Sequence, residues 1–277
     1  MGIATLFGAA FMGSILYLTQ FNQQVFSATP TESGLMLLPM IAGLMTTSIT
    51  SGQIISRTGR YKIFMQVGIV VATIMVGLLS TLTPETPYLH EAIIMLFLGA
   101  GLGVVMPVMN LAVQNEFKQH EIGAATSSSQ LFRSLGSTIG VALFGALLTA
   151  GLAGGLTNIQ DNAYVQTLKQ NPEASKIGDL NDSNTLLNLN MPDTKEKITT
   201  GFEQGVEKLP EPVRDQVTTK FKENQEAYSD KVTHAFSDSL SHIFRVSAVL
   251  MLLAAVLVFM LKEKPLQAAK PDAAPGV

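Results

Sequence analysis

Few side chains in this sequence are placed to do acid–base or metal chemistry. The four histidines, His90, His120, His234 and His242, stand singly and without metal-ligand spacing. Cysteine is absent, which excludes disulfides, thiolate ligands and a Cys nucleophile. Glu32, Glu91, Glu116 and Glu121 flank apolar runs, so they read as solvated, and no titratable group is expected at mid-membrane depth. The glycines have no accompanying strand or Walker lysine, and no basic patch is available for nucleic acid. These residues assign no catalytic, metal or cofactor site, and the chain does not read as an enzyme. What remains is polar groups inside apolar runs, which are costly in hydrocarbon and usually face a cavity or another helix. Gln20, Gln23 and Gln24 lie near one end of the first run, Asn110 and Gln114 near one end of the fourth. Gln20, Phe21, Gln24, Met106, Asn110 and Gln114 are therefore the candidate lining of an adaptable apolar pocket with a few hydrogen-bonding groups. The alternative is that the amides sit at the interface and bond water or headgroups.

The elements that must position them are membrane helices. Of 277 residues 47% are hydrophobic and 14% charged, against roughly 25% charge in a soluble domain. Asp, Glu, Lys and Arg are missing from Met1 to Thr31, Ser33 to Ser56, Ile63 to Pro84, Ala92 to Asn115, Ser134 to Gln160 and Val246 to Leu261. Each gap supplies, or nearly so, the about 20 apolar residues that a span needs. The expected spans are Gly2 to Val25, Leu35 to Ile55, Ile63 to Leu82, Ala92 to Val113, Leu135 to Leu156 and Ile243 to Leu261. In lipid these must be helices, since no ten-residue alternating segments suggest a barrel. The class is all-α integral membrane, a six-helix bundle with one large hydrophilic loop.

Positive charge in the short loops sets the expected orientation. Arg57, Arg60 and Lys62 follow the second span, Lys118 and Arg133 the fourth, and Lys262, Lys264 and Lys270 the last, whereas 26–34 and 83–91 carry none. Both termini are therefore expected in the cytoplasm and the loop outside. The division expected is 1–156 for five spans, 157–238 for a partly helical extracytoplasmic loop, 239–262 for the last span and 263–277 for a cytoplasmic tail. The loop holds nine Lys/Arg and fourteen Asp/Glu. Within it Val217, Phe221, Tyr228, Val232, Phe236, Leu240 and Ile243 recur at helical steps, which predicts a rod that starts near Pro210 and Pro212 and runs into the last span. Asn181 to Pro192 reads as irregular. The loop is either a docking or gating element or a solvated cap that packs on itself.

Small residues at Gly99 and Gly103, and at Gly136 and Gly140, are spaced to let helix backbones approach closely, and Pro107 should bend the fourth span. The sharpest local signal is Ser51 to Lys62, a tight, basic, glycine-bearing turn in which Gly52, Arg57, Gly59, Arg60 and Lys62 are the candidate gating residues. By its residues alone it serves equally as a positive-inside anchor.

This turn resembles the G-x-x-x-D-R-x-G-R-[RK] signature of the major facilitator superfamily, with Ser56 at the aspartate position and Tyr61 inserted before Lys62. Tyr17 to Gln24, Ser33-Gly34-Leu35, Leu38-Pro39, Gly99 to Gly103, Met106-Pro107, Ala112 to Asn115, Glu121 to Ala125 and Phe132 to Ala142 are similar to the fourteen-helix drug:proton antiporters of the EmrB/QacA type. The resemblance implies the C-terminal half of such a transporter, multi-pass in the plasma membrane, exporting amphipathic small molecules by proton antiport and alternating access. It implies that the missing N-terminal six-helix half, or a second chain, carries the protonatable carboxylates. The abrupt start of the first span agrees with a half-length or truncated chain. The alternative from another class is a non-transporting, membrane-anchored protein that binds a partner through its outer loop.

Overall fold

Charge-free apolar runs that must satisfy their own backbone hydrogen bonds become helices. The computed structural model, which describes residues 1–156, 159–170 and 178–261, contains no strand among those residues. Its α-helices are α1 Gly2–Val25, α2 Pro30–Leu35, α3 Leu38–Thr58, α4 Lys62–Leu79, α5 Tyr88–Glu116, α6 Ile122–Gly155, α7 Ala163–Lys169, α8 Ser183–Leu189, α9 Pro192–Val206 and α10 Glu211–Met260. Six segments, beginning at Gly2, Pro30, Lys62, Tyr88, Ile122 and Glu211, are long and apolar enough to cross a membrane.

The second and fifth spans start elsewhere than the sequence reading has them, and the fourth starts earlier, at Tyr88. The second span starts after a break. Thr29 and Glu32 form a capping box for α2, with Thr29 N–H donating to Glu32 Oε2 at 2.9 Å, and α3 restarts with Pro39 in its first turn. The fifth begins thirteen residues earlier than Leu135, because α6 absorbs the polar stretch from Ile122. The rod expected to start near Pro210 and Pro212 and run into the last span is one helix of 50 residues, Glu211–Met260. The segment expected to be irregular is also ordered: Asp182 caps α8 by accepting from Thr185 N–H at 3.3 Å, and α9 opens on Pro192. Lys262, Lys264, Lys270 and the tail 263–277 lie outside the described residues.

The bundle has two packing groups. α5 lies against α3 and α4, α1 lies against α6 and α10, and α10 joins the groups through α4. Glycines sit where backbones cross. A Cβ at Gly99 would overlap the Met40 carbonyl oxygen and one at Gly103 that of Leu44, whereas at Gly136 it would overlap that of Thr5. Hydroxyls tie the same seams, Thr47 Oγ1 donating to Ala100 O at 2.8 Å and Ser137 Oγ to Gly8 O at 3.1 Å. Such contacts matter in lipid, where apolar surface gains little from pairing. Pro107 lies inside α5, which continues to Glu116.

The helices connecting the fifth and sixth spans form a small domain. Phe202 stacks on Phe221 at 3.9 Å, Tyr164 packs on Phe221 and Tyr228, and Leu168, Leu186 and Leu189 close the cluster. Tyr228 O–H donates to Leu186 O at 2.8 Å, and Gln225 Nε2 donates to Tyr164 Oη at 3.0 Å. Burial pushes the Tyr164 phenol above its ordinary range, against the smaller effect of Gln225. These helices pack on one another through their aromatic side chains, and the cluster is continuous with the core of the bundle. We call its side of the bundle the domain end and the opposite side the turn end.

At the domain end Tyr88 O–H donates to Met36 O at 2.9 Å, holding the start of α5 against the α2–α3 junction. Tyr88→Phe is expected to cost about 1 kcal/mol, read as a lower thermal midpoint of the purified protein in detergent.

Candidate functional site

The turn end is built by a helix stop that only glycine accepts easily. α3 closes on Gly59 at φ +68°, whose N–H donates to Ile55 O at 2.8 Å. A Cβ there would meet nothing within 4 Å, so any cost of replacement is backbone strain and not crowding. Arg57 and Arg60 are exposed on either side of it, and Lys62 begins α4 half-buried. Gly52 is exposed on α3. Ser56, at the position of the signature aspartate, donates to Gln53 O at 2.8 Å and so serves its own helix.

Beside this turn lies a cavity of about 310 Å³. Ala4, Met65, Met109, Ala112 and Val258 give it apolar walls, and Lys62, Glu116 and Ser129 are its polar lining. Met106, Asn110 and Gln114 are not part of it. They recur at steps of four on a different face of α5, with Asn110 half-buried and Gln114 exposed. The cavity takes its methionines from Met65 and Met109 and not from Met106.

The other candidates sit at the domain end. Gln20 is half-buried, and buried Phe21 packs edge-on to Phe26 at 6.0 Å, which in turn meets Tyr88 at 6.1 Å. Gln24 is buried in a polar tie to the domain, where its Oε1 accepts from Asn190 Nδ2 at 3.0 Å and its Nε2 donates to Leu187 O at 3.4 Å. Asn190 also donates to Thr233 Oγ1 at 3.2 Å and accepts from Ser229 Oγ at 2.6 Å. Lys195 Nζ donates to Ser229 at 2.6 Å. Burial lowers the Lys195 ammonium from the ordinary lysine range, and Asp230 and Glu226 offset part of that. The two groups of candidate residues thus occupy opposite ends of the bundle and do not converge on one pocket.

One residue corrects the sequence reading. Glu91, expected to be solvated, is fully buried. α5 starts at Tyr88, so Glu91 lies in its first turn and not before it. With its amide turned to satisfy both groups, buried Asn22 donates to the two Glu91 oxygens at 2.7 and 3.0 Å. The sequence held the signal in Asn22 and the first-turn position of Glu91, but hydropathy alone places a carboxylate at the edge of a span in water.

A bundle of six potential spans, sealed by glycine crossings and stopped by a basic turn, is a multi-pass membrane fold. The Major Facilitator Superfamily matches residues 1–141, just over half of the chain, and the chain belongs to that family. It is 32% identical to the multidrug transporter protein MdtP of Bacillus subtilis over 69% of this chain and 36% of the relative. An uncharacterized MFS-type transporter of Mycobacterium tuberculosis is 39% identical over 50% of this chain and 20% of the relative. A tetracycline resistance determinant of Streptomyces rimosus is 25% identical over 75% of this chain and 60% of the relative. The chain therefore spans between a fifth and three fifths of the length of these relatives. The family is one of transporters and not of enzymes.

Proposed function

We propose that this chain is a six-helix half of a drug-exporting proton antiporter, of the EmrB/QacA type and corresponding to its C-terminal bundle. The observation that carries this is the six-span bundle of the family, taken with relatives whose names refer to multidrug transport and tetracycline resistance. The positive residues Arg57, Arg60 and Lys62 put the turn end, with both chain termini, in the cytoplasm, and the helical domain outside. The cavity at the turn end is then where an amphipathic compound enters from inside, its apolar part against Met65 and Met109 and its polar part toward Lys62 and Glu116.

The bundle's surface supports a partner half. The uncovered face of α4 is Ile63, Val67, Val70, Ile74 and Leu78, a face suited to lipid. Uncovered faces of α3 and α6 also carry Thr46, Thr50 and Gln53, and Ser127, Gln130, Ser134 and Thr138. Amides and hydroxyls at such positions favour a protein neighbour or a wet cavity over acyl chains. Alternating access then consists of this bundle rocking against the second one.

The test is efflux of a fluorescent amphipathic dye from a drug-sensitive bacterial strain expressing this chain together with the N-terminal half that completes the transporter, with and without a protonophore. Protonophore-sensitive efflux is the expected result, and no efflux above the empty strain would refute the reading. The turn supplies a graded check. Gly59→Val places a β-branched residue at positive φ for about 1–2 kcal/mol of strain, and it should abolish efflux at unchanged membrane abundance, whereas Gly59→Asn should retain most of it.

A second reading has one observation in its favour, the aromatic contacts among Tyr164, Phe202, Phe221 and Tyr228 within the domain. A non-transporting binder would act through that domain, and it predicts a soluble domain that folds cooperatively and captures a ligand.

A further inference from the structure

α1 and α5 belong to different packing groups and touch only slightly. At the domain end, however, Asn22 of α1 meets Glu91 of α5, both fully buried. We infer that Glu91 and Asn22 form a proton-operated latch between the two packing groups, in which Glu91 takes up and releases a proton reversibly. What that proton does in export rests on the antiporter reading above, but the latch itself does not.

No lysine, arginine or histidine among the described residues forms an ion pair with Glu91. The elements packed on α5 carry their charges elsewhere: Arg57 of α3, Lys62 of α4 and Arg133 of α6 all lie toward the turn end, as does Glu116 of α5 itself. α1 has no titratable side chain but Tyr17. Near the domain end, Tyr88 bonds Met36 O, His90 is exposed, Glu32 is held in its capping box and Glu85 pairs with His234 at 3.5 Å. On α10, Asp238, His242 and Arg245 are exposed. A buried carboxylate without a counter-ion depends on the hydrogen bonds it receives.

An amide suits both protonation states because its two ends have the same shape and opposite polarity. Facing the anion, Asn22 presents Nδ2–H and donates to both carboxylate oxygens. When a proton from external water binds one Glu91 oxygen, the O–H becomes the donor, and Asn22 turns to present Oδ1. Charge on Glu91 thus alters the strength of the contact between α1 and α5.

The absence of cysteine makes the latch directly measurable, because labels can be placed only where wanted. Leu16 and Ile93 are exposed on α1 and α5. In the purified chain in lipid nanodiscs, Leu16→Cys with Ile93→Cys carries a spin-label pair. An acid step should change the label distance and produce a protonated-carboxyl infrared band. Glu91→Gln should abolish both responses, and Asn22→Leu should move the band and its titration midpoint. A band that persists in Glu91→Gln, a midpoint untouched by Asn22→Leu, or a label distance that ignores pH in the parent would each overturn the latch. Dye efflux decides the antiporter reading separately, so a titrating Glu91 in a chain that exports nothing retires that reading alone.

Discussion

Gly99→Leu is expected to leave no folded bundle to purify. The position faces α3 so closely that even a methyl would overlap the Met40 carbonyl oxygen, which is backbone and cannot rotate aside. The neighbouring crossings are equally tight, with Gly43 against Leu96 O and Gly103 against Leu44 O, so the helices cannot separate at one point only. Moving α3 away also breaks the bond from Thr47 Oγ1 to Ala100 O at 2.8 Å. Overpacking a well-packed core costs ~1–3 kcal/mol, and parting a whole helix seam adds the packing lost along its length, against a total stability of about 5–15 kcal/mol. Size-exclusion of detergent-solubilised membranes should show aggregate in place of the monodisperse peak. Gly77→Leu is the control, because a Cβ there meets nothing within 4 Å. A monodisperse Gly99→Leu would mean that the α3–α5 seam is not what closes the bundle.

The same seam shows what the sequence makes legible. Gly99 and Gly103, or Gly136 and Gly140, advertise close helix approach by spacing alone, but not which backbone approaches, since Met40 and Thr5 carry no local mark of it. Span positions follow from missing charge, and α1 falls on the residues expected of it. α6 does not, because Ser127, Ser128, Ser129, Gln130 and Arg133 lower its hydropathy, although Ser129 is buried and helix continuity is a matter of the backbone. Asn181 to Pro192 read as irregular because its Asn and Asp residues favour turns; tertiary contacts of Leu186 and Leu189 override that preference. Asp182 in fact uses its turn-forming side chain to start a helix.

Site residues were less legible than spans, for a physical reason. A polar residue in an apolar run signals that something satisfies it, but the partner is set by tertiary structure. Gln24 reads as pocket lining and is instead spent on Asn190 and Leu187, more than 160 positions away in sequence. Glu91 reads as solvated because hydropathy windows place it outside the span, and although Asn22 is a polar residue in an apolar run, its pairing with Glu91 is set by tertiary structure. Met106, Asn110 and Gln114 share α5 with the cavity residues Met109 and Ala112 but lie on another face, and a rotation that only tertiary packing sets decides which face meets the cavity.

Asn190 is the centre of the polar tie between domain and bundle, and its removal is the second large effect expected. Asn190 is nearly fully buried and uses both ends of its amide, donating to Gln24 Oε1 and Thr233 Oγ1 and accepting from Ser229 Oγ. Leucine has similar size and no polar atom, so Asn190→Leu leaves a buried carbonyl on α1 without its donor and a serine hydroxyl without its acceptor. Each such orphan costs about 1–3 kcal/mol, which makes a total of roughly 3 kcal/mol plausible for the variant. The loss should fall on the junction and not on the domain's aromatic core, since Tyr164, Phe221 and Tyr228 pack without Asn190. Hydrogen exchange should therefore quicken at the domain end of α1 and around 187–195 while the amides of α10 near Tyr228 stay protected. Asn190→Asp separates the two ends of the amide. It keeps the acceptor for Ser229 and loses the donor to Gln24 and Thr233, so its effect should fall on α1 and on α10 around Thr233. Uniform loosening of the whole domain in both variants would mean that Asn190 holds the domain together internally, and that the contact with Gln24 contributes little to the junction.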